Sequence, residues 1–115
     1  MDERLAKALE FSNYAVTLNN QRRALKEKFL ADTVFYHAGG SFTVTKELIN
    51  FTKTLVDTGN DTNVVLIDDN DVPLEIADLN EFMASIMDLY FTASNNYYTT
   101  YQTLRKNRSA QGLVE

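Results

Sequence analysis

Apolar residues return every three or four positions along residues 78–108: Leu79, Met83, Ile86, Tyr90, Ala93, Tyr97 and then Leu104. That spacing, in a stretch without Pro or Gly, predicts one long amphipathic helix capped by Asp78. A second long stripe carries Ala8, Phe11, Ala15, Leu18, Leu25 and Phe29, interrupted by Arg22, with Leu5, Leu9 and Val16 on a neighbouring stripe. It predicts a helix over residues 2–38, capped at Asp2 and stopped by Gly39-Gly40, since glycine adopts the left-handed conformation cheaply. In that reading His37 lies in the last turn, where a cation meets the carbonyl dipole.

Between the two helices the pattern shortens. Residues 41–44 read as a strand, and residues 46–57 as a helix capped by Thr45 and stopped by Gly59. Its apolar face is Leu48, Ile49, Phe51, Leu55 and Val56. Two β-prone runs, residues 64–67 and 72–76, flank Asp68-Asp69-Asn70-Asp71, which is a hairpin signal. Val72, Leu74 and Ile76 alternate with Pro73 and Glu75, so one face is expected to be buried, and Pro73, lacking an N–H, belongs at an edge. The polar tail, residues 109–115, is expected to fray. The expected fold class is α+β, mainly α, in a single domain of residues 1–115. Two long antiparallel helices form a coiled-coil-like hairpin, with a small strand–helix–hairpin insertion (residues 41–76) at its tip.

Neither long helix has only one apolar stripe. Met87, Phe91, Tyr98 and Tyr101 lie off the main seam of the last helix, and a two-helix hairpin covers only a narrow stripe on each partner. These four are the candidate interface residues. A second copy is the expected occupant, with a homodimer the simplest closed arrangement, and an unidentified protein partner is the other.

Composition narrows the chemistry. The chain has no cysteine, which excludes disulfides and thiolate metal sites. No apolar run is long enough for a membrane span or a signal peptide, so a cytoplasmic protein is expected. The Asp68–Asp71 cluster lacks the alternation, the glycine and the terminal Glu of a calcium loop, so it reads as a turn. No metal and no cofactor are expected. His37 has no nucleophile or orienting group that the sequence places beside it, so no catalytic residue is assigned and the protein is expected not to be an enzyme.

The net charge of −5 disfavours nucleic acid and anionic membranes. Against it stand a basic run, Arg22, Arg23, Lys26 and Lys28, and a second cluster, Arg105, Lys106 and Arg108. The second is expected to fall beside Asp2, Glu3 and Glu10 and to be neutralised there, well apart from the first. The tyrosines of the last helix can stack bases, but their sequence neighbours Asn95 and Asn96 are neutral, and single-strand binders need a basic groove. The expected function is therefore a non-enzymatic protein–protein interaction or assembly protein that self-associates through the long helices. The alternative is an accessory nucleic-acid-binding protein using Arg22, Arg23, Lys26 and Lys28.

Three stretches carry a whole-chain resemblance: Met1-Asp2-Glu3-Arg4-Leu5 with Asn19-Asn20-Gln21, Phe42-Thr43-Val44-Thr45-Lys46-Glu47-Leu48, and residues 65–73 around the acidic turn. With these, the chain resembles small uncharacterised proteins encoded by tailed myophages of marine cyanobacteria. The resemblance implies a virus-encoded protein acting in a bacterial cytoplasm or a virion, and it carries no functional residue.

Overall fold

The computed structural model describes residues 3–114, and side chains for residues 3–107. It is mainly helical, with three helices and two small antiparallel strand pairs. In chain order these are α1 (Glu3–Asp32), β1 (Val34–His37), β2 (Gly40–Thr43), α2 (Lys46–Asp57), β3 (Thr62–Ile67), β4 (Pro73–Asp78) and α3 (Leu79–Val114). The chain forms two compact units. A central unit spans Phe29–Asn96, and a helical unit joins Met1–Lys28 to Tyr97–Glu115.

In the central unit, α1 ends at Asp32 and not at residue 38. The Thr33 hydroxyl donates to the Leu30 carbonyl (2.8 Å), and the Thr33 carbonyl accepts from the Val44 amide (2.8 Å), so the chain leaves the helix for a ladder. The following Val34-Phe35-Tyr36-His37 is β-branched and aromatic, which suits a pleated, half-buried surface. It pairs with β2 in the register Val34↔Thr43, Phe35↔Phe42 and His37↔Gly40. Ala38 (φ 53°) and Gly39 (φ 80°) form the two-residue connection, both in the left-handed region that a type I′ turn requires. The expected helix stop is therefore a hairpin turn, and His37 ends a strand instead of capping a helix.

Helix α2 lies where the spacing predicts it. The Thr45 hydroxyl accepts from the Leu48 amide (3.1 Å), and Gly59 (φ 85°) follows its end. Strands β3 and β4 pair with Val64 opposite Ile76 and Leu66 opposite Leu74, so these four side chains turn inward while Val65 and Ile67 face out. Val72 does not join the buried face. Strand β4 starts only at Pro73, which leaves Val72 in the exposed turn.

Helix α3 is capped as its sequence predicts: Asp78 Oδ1 accepts from the amides of Asn80 (3.1 Å) and Glu81 (3.2 Å). Asp61 ties the same end to the loop before β3, its carbonyl accepting from the Leu79 amide and its carboxylate from the Asn80 side chain. Helix α3 continues to Val114, past the expected end at Arg108 and through the expected tail. Only Gly112 opposes helix there, at a cost of about 1 kcal/mol relative to alanine. The cap expected at Asp2 lies outside the described residues.

One apolar core fills the central unit: Phe42 and Val44 from the first hairpin and its exit, Leu66 and Ile76 from the second, and Leu79, Phe82 and Ile86 from α3. Phe29 meets Tyr90 edge-on, with ring centroids 6.0 Å apart. In the helical unit Leu18 is the one buried side chain among the described residues. Half-buried Leu25 and Leu104 line an open groove there with Gln21, Ala24, Thr100, Thr103 and Asn107.

Candidate functional site

The acidic turn after β3 is where the two hairpins meet. Asp68 is buried, and its carboxylate accepts from three backbone amides: Oδ1 from Asn70 (3.0 Å) and Val72 (2.8 Å), and Oδ2 from Ser41 (3.2 Å). Asp69 continues the clip. Its carboxylate accepts from the Thr43 amide (3.0 Å) and hydroxyl (2.8 Å), and its own amide donates to the Ser41 carbonyl (2.8 Å). The cluster is thus a turn, as its sequence suggests, but also a fastener between β2 and β3. Sequence spacing cannot show that second role, because the partners are 26 and 27 positions away. Among the described residues no three His, Asp or Glu side chains gather as a metal site.

The amide hydrogen bonds, that from Val72 foremost, hold the Asp68 carboxyl below its ordinary value, against the opposing effect of burial. A depressed folded-state pKa means that this contribution to stability is complete above the unfolded value and is lost as pH falls through the folded one. Asp68→Asn is therefore expected to be less stable than wild type at neutral pH. The gap should begin to narrow below about pH 4, where the unfolded carboxylate takes up its proton, and close as pH falls through the depressed folded value. Urea midpoints taken between neutral and acid pH measure this, and parallel curves for the two proteins would show that the carboxylate's charge is immaterial.

An open cleft lies at the tip of the first hairpin, lined by Tyr36, His37, Ala38, Gly39, Gly40, Ser41 and Asn70. It brings a histidine near two hydroxyls, but no carboxylate lines it. The His37 ring is stacked on Phe35 (5.7 Å) and set edge-on to Phe82 (5.5 Å), which makes it part of the aromatic wall of the core. General-base work needs a partner within hydrogen-bond reach, and His37 has no such partner among the described residues.

No protein-family model, curated protein or solved structure matches the chain. Any functional reading therefore rests on its own surfaces.

Of the four candidate interface residues, Phe91, Tyr98 and Tyr101 are exposed on α3 and Met87 is half-buried. Arg22, Arg23, Lys26 and Lys28 are all exposed on α1. They do not make one patch. At 3.6 residues per turn Lys26 follows Arg22 on the same face, whereas Lys28 lies roughly 240° around the helix. A different cation joins Arg22. One cleft of the helical unit is lined by Leu18, Arg22, Tyr101, Leu104 and Arg105, so the two basic clusters, expected to be well separated, meet there. The expected separation assumed that Arg105 would fall beside the start of α1. The actual packing sets Leu104 and Arg105 against Leu18 and Arg22.

Charge is also unevenly shared. Residues 1–28 and 97–115 hold nine Lys or Arg against five Asp or Glu, a formal +4, while residues 29–96 hold two against eleven, a formal −9. The overall −5 conceals both numbers.

Proposed function

We propose that the protein is a non-enzymatic assembly protein that self-associates through its long helices, which run as the antiparallel pair that their spacing predicts. The observation that carries this reading is the thin core of the helical unit. Leu18 alone is buried among its described residues, while Leu5, Leu9, Phe11, Val16 and Tyr98 are 47–65% exposed. Leu5, Leu9 and Val16 repeat at i, i+4 and i+11, which places them on one side of α1.

Covering an apolar side chain completely is worth roughly 1.5–3 kcal/mol. Five that are already about half covered offer roughly 4–8 kcal/mol per chain, or twice that per dimer, against an association cost of about 4–15 kcal/mol. Self-association is thus within reach without further contacts. Phe91 and Tyr98, with half-buried Met87, extend the exposed apolar surface along α3. No described helix is long and apolar enough to cross a membrane, so the exposed apolar side chains are not accounted for by a bilayer span. The resemblance to cyanobacterial myophage proteins is compatible with a role in building a viral or virus-directed assembly.

Light scattering coupled to size exclusion at micromolar concentration tests the reading. The wild type is expected at twice the 13.1 kDa chain mass or above, and Leu9→Glu/Val16→Glu/Tyr98→Glu at the chain mass. A strictly monomeric wild type would rule out self-association.

A further inference from the structure

We propose that the helical unit binds single-stranded nucleic acid, with Arg22 and Arg105 holding phosphates and Tyr101 offering its ring to a base. Sequence alone argues against this, because the residues around the tyrosines are neutral. The fold removes that objection by supplying the cation from the other helix: Arg22 of α1 and Arg105 of α3 line one cleft with the Tyr101 ring. Lys26 stands one turn beyond Arg22, and Tyr101 is 38% exposed.

Two guanidinium groups on one cleft repel each other unless an anion lies between them, and among the described residues no carboxylate engages Arg22, Lys26 or Arg105. Phosphates supply that charge in a planar geometry that a guanidinium matches with paired hydrogen bonds. Exposed aromatic rings beside a basic track are the combination that sequence-tolerant single-strand binders use. The formal +4 of this unit sets the local field. The Tyr101 ring on the same cleft as both arginines suits a base stacked beside its own phosphate, which favours the nucleic acid.

Fluorescence anisotropy of labelled oligo(dT) and oligo(U) with the full chain tests this. If Arg22, Lys26, Arg105 and Lys106 each neutralise one phosphate, the logarithm of the binding constant should fall with log salt at a slope of about −3. Arg22→Gln/Arg105→Gln is expected to weaken binding roughly tenfold and to flatten the slope by about 1.4, with its melting curve and oligomeric mass unchanged. Removing the same number of charges from the central unit, in Lys46→Gln/Lys53→Gln, should leave affinity unaltered. No binding at low salt would overturn the proposal, as would binding that the arginine variant retains. A duplex bound more tightly than a single strand would overturn it too, and so would an acidic peptide that binds and displaces the oligonucleotide at equal concentration.

Discussion

Replacing Phe82 with alanine is expected to cost about 3–5 kcal/mol of unfolding free energy. Phe82 is 1% exposed and lies off the main seam of α3, pointing into the first hairpin. Its ring meets three others edge-on: Phe42 at 5.2 Å, His37 at 5.5 Å and Phe35 at 5.7 Å. Such pairs add about 0.5–1.5 kcal/mol each beyond the area they bury. Truncation therefore opens a cavity and also unseats the histidine and two phenylalanines. A domain of this size has roughly 5–15 kcal/mol in hand, so a large part of its stability is at stake. In urea the midpoint should fall with little change of slope, while Phe51→Ala, at an exposed position of α2, should stay within about 0.5 kcal/mol of wild type. Equal effects at the two positions would mean that Phe82 does not organise the core.

The parts of this fold that were legible from sequence are those where a local signal and a periodic pattern agree. Asp78 caps α3 and Thr45 caps α2, and each precedes an apolar repeat of the right period. The acidic turn separates two β-prone runs, the second of which alternates. The end of α1 was not legible, because Phe29, Leu30, Val34, Phe35 and Tyr36 are dense enough in apolar character to satisfy a helix or a strand. What decides it is a long-range fact, the pairing of Val34–His37 with Gly40–Thr43, together with a turn at Ala38 and Gly39. Gly39-Gly40 reads as a stop, but a glycine pair serves a hairpin and a helix end equally well.

The surfaces show the same limit. That Phe91, Tyr98 and Tyr101 fall off the main seam can be read from their spacing, and they are indeed exposed. That Arg22 shares a cleft with Arg105 and Tyr101 depends on how α1 and α3 are matched in the helical unit, which neither helix encodes separately. Summing charge over the whole chain hid the basic unit behind the acidic one. Summing it over each unit becomes possible only once the fold shows which residues belong together.

Gly40→Ala is expected to destabilise the central unit by about 1–3 kcal/mol, for a reason unrelated to backbone freedom. Gly40 is not in the left-handed region. It is buried in β2, and a methyl group added there would run into Leu74 Cδ1 and stand 2.9 Å from Asp68 Oδ2. Leu74 can turn away, being the flexible end of a half-buried side chain. Asp68 cannot move without loosening its bonds to Ser41, Asn70 and Val72, so an added methyl pries at the fastener between the hairpins. Gly39→Ala is the natural contrast: nothing lies within 4 Å of its added methyl, and only the strain of φ +80° opposes it, a cost of about 1–2 kcal/mol. A double-mutant cycle separates the two causes. If Leu74 is the obstacle, Gly40→Ala in a Leu74→Ala background should recover at least about 0.5 kcal/mol of its cost, whereas Gly39→Ala should recover none. If Gly40→Ala costs the same in both backgrounds, the fixed carboxylate of Asp68 is what the methyl meets. If it costs nothing in either, the two hairpins are not closely seated at Gly40.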